Sequence, residues 1–284
     1  MKKYDCFTFL NEIELLEFRL KLLGDYFDYF VIIESNLTFS GKEKSYFYKD
    51  HEARFDKWKA KIIYYPLVQK VTEFTIADPT SKKPSYNAWL SEYQQRNAIR
   101  EVVRAGENDM IFLGDLDEIP DPYILKKIKN TSFPQVFSMK FHYYFMNCGL
   151  VSAKEKWNGT VVMNGEYFYS NTPQHIRRNR DLYKKIKGGW HFSYLGGIEK
   201  IKYKIQSFSH TEYDTEEFLN DTHILNSLEN GVDFLKRHEM KFYFFPILFY
   251  RYKTRKLIKQ YPAFIRKTSI LKWLLCRLLP SSSR

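Results

Sequence analysis

The sequence predicts an α/β fold: a mainly parallel sheet flanked by helices, followed by a basic amphipathic helical C-terminal tail. Three observations lead there. Short apolar runs and helical patterns follow one another in the order β-α-β-x-β-α-β, as in a sheet wound by crossovers. Several of the runs are apolar without alternation, the mark of strands buried on both faces. The excess of positive charge is confined to residues 236–284.

Tyr4–Phe9 reads as the first strand, and Asn11 is placed to cap the helix after it. That helix carries Ile13, Leu16, Leu20 and Leu23 on one face and is expected to stop at Gly24. Tyr29–Glu34 is a second, fully buried strand that ends in an acid. Lys61–Tyr65, closed by Pro66, is a third, and residues 69–84 read as a loop. A long helix is expected over Tyr86–Ala105, stopped at Gly106, then a buried strand over Asp109–Leu113 and an aromatic one over Val136–Phe145. Residues 150–235 read as short helices and loops. In such folds ligands sit beyond the carboxyl ends of the strands. That rule points to Asn11, Glu34, Ser35 and the loop Asp115–Asp121.

The charge is unevenly spread. Of 45 Lys+Arg and 33 Asp+Glu, the segment 236–284 holds 13 and one, which leaves 32 of each sign in 1–235. A neutral body argues against a nucleic-acid enzyme, whose working groove would be basic. The division expected is a catalytic domain over 1–235 and a membrane-associating tail over 236–284. In the tail, Phe264, Leu271, Leu274, Leu275, Leu278 and Leu279 fall on one helical face, preceded by the basic run Arg251, Lys253, Arg255, Lys256 and Lys259. That pattern suits a helix lying on an anionic membrane surface. Three cysteines without metal-ligand spacing give no disulfide or zinc framework. The opening residues carry no apolar signal-peptide core, so a cytoplasmic protein, peripheral on the inner face of the membrane, is expected.

The densest chemistry is Asp115-Leu116-Asp117-Glu118, directly after a buried strand. Clustered carboxylates repel one another, and a divalent cation relieves the repulsion. Mg²⁺ or Mn²⁺ suits oxygen ligands that leave room for phosphate. Arg96, on the long helix, is a fork-shaped donor for a diphosphate or for these acids. Gly188-Gly189-Trp190-His191 reads as a loop over a ligand, with Trp190 as a sugar platform and His191 as a ligand or donor. His210 and Glu212 offer similar groups.

These motifs, taken in order, resemble glycosyltransferase family 17 and its bisecting β-1,4-N-acetylglucosaminyltransferases. The resemblance rests on Tyr4 to Leu20, Leu23-Gly24-Asp25, Val31 to Phe39, Gln95-Arg96-Asn97, Gly114 to Pro120 and Gly189 to Ser193. It implies a GT-A-like, Rossmann-like fold, a UDP-sugar donor, a divalent metal and an inverting transfer. On that reading Asp115 and Asp117 hold Mn²⁺ or Mg²⁺. Asn11, Glu34, Arg96 and Trp190 line the donor site, and His191 and Glu212 join the two aspartates in catalysis, with Glu212, Asp214 and Glu199 all open as the general base. The acceptor expected is a glycan or lipid-linked oligosaccharide. A metal-dependent phosphoryl enzyme and a non-catalytic carbohydrate-binding protein are the alternatives.

Overall fold

The computed structural model describes residues 1–70, 85–130, 132–143, 148–230, 232–237, 242–246 and 250–261. The expected amphipathic stripe from Phe264 onward and most of the 69–84 loop lie outside them. The strands are β1 (Lys3–Phe9), β2 (Tyr29–Ser35), β3 (Ile62–Leu67), β4 (Met110–Asp115), β5 (Glu118–Ile119), β6 (Gln135–Tyr143), β7 (Cys148–Asn164), β8 (Lys184–Ser193) and β9 (Phe242–Pro246). The helices are α1 (Ile13–Leu23), α2 (Phe47–Asp50), α3 (Tyr86–Asn97), α4 (Ile99–Val102), α5 (Pro122–Leu125), α6 (Gly165–Ser170), α7 (Pro173–Arg178), α8 (Ile198–Ser207), α9 (Glu216–Leu219), α10 (Asp221–Asn230) and α11 (Tyr252–Ile258).

All the strands join one sheet in the order β3-β2-β1-β4-β7-β6-β8-β5, and β9 adds to β7. The first four run parallel. Their apolar runs are buried on both faces as expected: Phe30 and Ile32 of β2 join one core, Val31 and Ile33 the other. The rest of the sheet corrects the expectation of a mainly parallel one. The β4–β7, β6–β7, β5–β8 and β7–β9 pairs are antiparallel, and β6–β8 alone in this half is parallel. Chain length accounts for the β6–β7 pair, since the link 144–147 is far too short for the crossover that a parallel pair needs.

Helix α1 buries Ile13, Leu16, Leu20 and Leu23 together with Leu15, Phe18 and Arg19. Its N-cap is Glu12 and not Asn11, and no side chain caps it. The helix stops at Gly24 as expected, with Gly24 itself in a right-handed helical conformation. The long helix expected over 86–105 is interrupted at Ala98 and ends at Val102, where Val103 turns extended. Valines at 102 and 103 are poor helix formers, and both pack inward against the sheet. A third core forms around α8 and α10, from Tyr194, Ile201, Ile205, Ile224, Leu228, Phe234 and Leu235.

Two elements beyond residue 235 pack on the body. Strand β9 pairs with β7, and α11 lies on α1 with Ile258 buried and the Tyr261 ring edge-on to Phe18 at 5.9 Å. This part of the expected tail is built into the body. Among the described residues no helix is long and apolar enough to cross a membrane.

One buried charge ties α1 to the sheet. Arg19 is 0 % exposed and pairs with Asp5 of β1 at 2.6 and 2.8 Å. Its remaining nitrogen donates to the carbonyls of Asp115, Leu116 and Glu118 at 3.0, 2.8 and 2.9 Å. Removing one partner of a buried pair strands the other. Arg19→Met is therefore expected to lower unfolding free energy by about 3–5 kcal/mol in chemical denaturation. A loss under about 1 kcal/mol, the level of a surface pair, would contradict this reading.

Candidate active site

The carboxyl ends of β1, β2 and β4 open onto a pocket of about 490 Å³. Thr8, Phe9, Leu37, Asp115 and Asp117 all line it. This is the strand edge at which ligands bind in open α/β sheets.

Its floor is the turn from β4 to β5. Gly114 brings β4 close to β7, where a Cβ would stand 2.5 Å from the Thr160 hydroxyl. Glu118, 0 % exposed, folds back under the turn and accepts from the Asp115 amide at 3.1 Å and from the Trp157 indole at 2.5 Å. With Arg19 holding the carbonyls from below, the carboxylates of Asp115 and Asp117 are left for the pocket.

Cations close round them. Arg177 of α7 reaches Asp115 at 2.6 Å and both oxygens of Glu118 at 2.7 and 2.5 Å. Arg96 of α3 reaches Asp115 at 3.2 Å and is itself held by Gln174 and Glu92. Lys204 of α8 and His191 of β8 meet the two oxygens of Asp117 at 2.9 and 3.3 Å. Burial raises the Asp115 pKa, but Arg177 and Arg96 outweigh it and hold the group at about 2, against 3.8 for a free aspartate. At Asp117 burial is again overcome, by Lys204 and His191, and the carboxyl lies well below its usual range. Burial beside Arg177 lowers Arg180 to about 10, and no carboxylate forms an ion pair with it among the described residues. Its guanidinium lies 4.7 Å from the Trp157 ring centroid, and that ring stacks on His191 at 4.5 Å.

Of the residues read from the sequence, Asp115, Asp117, Arg96 and His191 meet here. The glycine pair is no loop over a ligand: it belongs to β8, where Trp190 pairs with Ile119 and His191 with Glu118. Strand alternation then sends the two side chains to opposite faces. His191 enters the pocket, while Trp190 packs with Phe192 and Tyr250 and is no sugar platform. Gly189 is needed because its φ is +92° and a Cβ would stand 2.6 Å from the Ile119 carbonyl. Glu34 does not line the pocket. It is 0 % exposed and binds Lys44, the amides of Phe47 and Tyr48, and the Tyr64 hydroxyl, which anchors α2. Asn11 lies outside the pocket, in a smaller cavity with Leu15 and Lys200. Of the three acids open as the base, Asp214 pairs with Lys42 and Glu199 is exposed beside Lys202. Glu212 stands behind His210, which does line the pocket.

Sequence reading missed Arg177, Arg180, Trp157 and Lys204. A local signal for the first two existed: Thr172-Pro173 opens α7, with the Thr172 hydroxyl accepting from the His175 amide at 3.2 Å. A capped turn that leads into Arg177-Arg178-Asn179-Arg180 places several cations close together, at the end of one short helix and just after it.

Two acids at a strand end, ringed by arginines at the carboxyl edge of a parallel block, define a mixed α/β protein with a densely charged pocket. The chain belongs to glycosyltransferase family 17, whose family model matches residues 1–269. It is therefore a glycosyltransferase, an enzyme with a sugar donor and an acceptor. No curated protein matches the chain.

Because Asp115 is depressed in the folded state, its ionisation stabilises the fold above the free-aspartate value, and that stability is lost as pH falls toward about 2. Asp115→Asn should therefore flatten the fall in unfolding free energy between about pH 4 and pH 2. Acid titration of both chains measures it, and equal slopes would contradict the assignment.

Proposed function

We propose that this glycosyltransferase moves a sugar, N-acetylglucosamine on the family resemblance, from a UDP donor to a glycan or lipid-linked oligosaccharide, with inversion and on a GT-A-like scaffold. The observation that carries the reading is the cationic ring of Arg96, Arg177, Arg178, Arg180 and Lys204 around Asp115 and Asp117 at the strand edge. A diphosphate is the part of the donor that such a ring recognises, and guanidinium forks match its oxygens. Arg180, with no carboxylate in an ion pair among the described residues, is the cation best placed to take up charge on the departing UDP.

A divalent ion fits this site on one condition. Among the described residues no group of three or more His, Cys, Asp or Glu is arranged to hold a metal. Magnesium and manganese are commonly held by one or two carboxylates completed by substrate phosphates. Asp115 and Asp117 meet that description, since a carboxylate oxygen bonded to one cation keeps a second lone pair. When bound, Mn²⁺ or Mg²⁺ would serve as a Lewis acid on the diphosphate. It should then bind with the nucleotide and weakly without it.

The setting proposed is cell-surface polysaccharide synthesis on the cytoplasmic face of a membrane. It is supported by the basic run of α11, where Arg251, Lys253, Lys256 and Lys259 are exposed while Thr254 and Ile258 are buried. Each such base near an anionic leaflet contributes on the order of 1 kcal/mol.

Release of UDP from UDP-N-acetylglucosamine, with and without Mn²⁺, tests the reading. Asp117→Asn is expected to cut Mn²⁺-dependent release roughly a thousandfold. Turnover near that of the unsubstituted chain at saturating donor would refute the role given to Asp117.

A further inference from the structure

The pocket has an aromatic wall. Trp89 and Tyr93 come from α3; Phe208, His210 and Tyr213 come from the segment after α8. The His210 ring stands edge-on to Trp89 at 4.9 Å and 6.1 Å from Tyr213. Its Nδ1 lies 2.8 Å from Oε1 of Glu212, whose Oε2 is buried with no hydrogen-bond partner among the described residues. The segment is pinned on both sides: the Ser209 hydroxyl bonds Glu92, the partner of Arg96, and the Thr211 hydroxyl accepts from the Ser85 amide at 2.8 Å.

We infer that His210 is the general base that takes the proton of the attacking hydroxyl, with Glu212 as its positioning residue; this rests on the sugar-transfer reading above. The bond between Nδ1–H and Glu212 fixes the tautomer and leaves the Nε2 lone pair for a hydroxyl in the pocket. The arrangement is the base-and-orienting-acid pair found in many active sites. The acids nearer the floor are poor alternatives. Asp115 and Asp117 are tied to cations, Glu118 is bound by Arg177 and Trp157, and Glu92 is bound by Arg96 and Ser209. His191 is stacked on Trp157 and paired with Asp117.

The step balances without any further reactant. The acceptor oxygen bonds to the anomeric carbon as its proton passes to Nε2. The bond from that carbon to the phosphate oxygen breaks, and its electron pair leaves with UDP. The imidazolium, facing the Glu212 carboxylate, later returns its proton to water.

Donor hydrolysis, with water as the acceptor, tests the assignment on the full chain. UDP-N-acetylglucosamine, UDP-glucose and UDP-galactose serve as probes, and UDP affinity is measured in parallel. His210→Gln is expected to lower the hydrolysis rate by about 10²–10⁴-fold with UDP affinity unchanged. Glu212→Gln should fall in between. Added imidazole should restore part of the rate of His210→Ala and none of that of Asp117→Asn, an effect that a packing role for His210 would not produce. If His210→Gln hydrolyses donor within about threefold of the unsubstituted chain, or loses rate and UDP affinity together, the base assignment is overturned while the transfer reading stands. If the unsubstituted chain neither binds UDP nor releases it from any of the three donors, the transfer reading itself fails and takes the base with it.

Discussion

Everything at the pocket depends on the Arg19 guanidinium. A buried arginine must find acceptors for its N–H groups, and this one finds them in two places that the chain separates by more than a hundred residues. One side grips Asp5 in the middle of the sheet, and the other collects three carbonyls of the turn 115–118. Carbonyls drawn inward leave the Asp115 and Asp117 side chains turned toward the pocket. The same turn is held from the other side by Glu118, which is bound by Arg177 and Trp157. The carboxylates thus stand on a backbone braced from both sides, as preorganised electrostatics demands.

The second constraint is charge balance. Glu12, Glu92, Asp115, Asp117 and Asp181 line the pocket against Arg96, Arg177, Arg178, Arg180, Lys204 and Arg237. Buried acids survive there only because the cations beside them are close, and the low Asp115 pKa records that dependence. An arriving diphosphate would compete with the acids for the same cations, and a divalent ion would compensate the acids so released. Donor and metal would then strengthen one another's binding, a coupling that acts in both directions.

How much of this was legible in the sequence follows from range. The strands β1, β2 and β4 and the helix α1 are written in local runs, because a strand buried on both faces has no polar position to hide behind. The antiparallel half was not: β7 carries Lys154-Glu155-Lys156 and Gly159 through its middle, so no local period shows. In the site, Asp115 and Asp117 were found because they follow a buried strand. Arg177 was missed because its partners Asp115 and Glu118 lie 62 and 59 positions away, and no local pattern encodes such a pairing. Glu34 misled for the opposite reason. An acid at a strand end is what a ligand site looks like locally, yet the Lys44 and Tyr64 contacts that make it structural come from elsewhere. Of the neighbours Trp190 and His191, strand alternation keeps only His191 in the pocket.

The arginine ring is proposed to hold a diphosphate. Calorimetric titration of UDP and of uridine into the chain in the presence of Mn²⁺ separates the diphosphate from the nucleoside. UDP is expected to bind at least about a hundredfold more tightly than uridine, a difference of about 2.7 kcal/mol. Equal affinity for the two, or no binding of UDP, would contradict it.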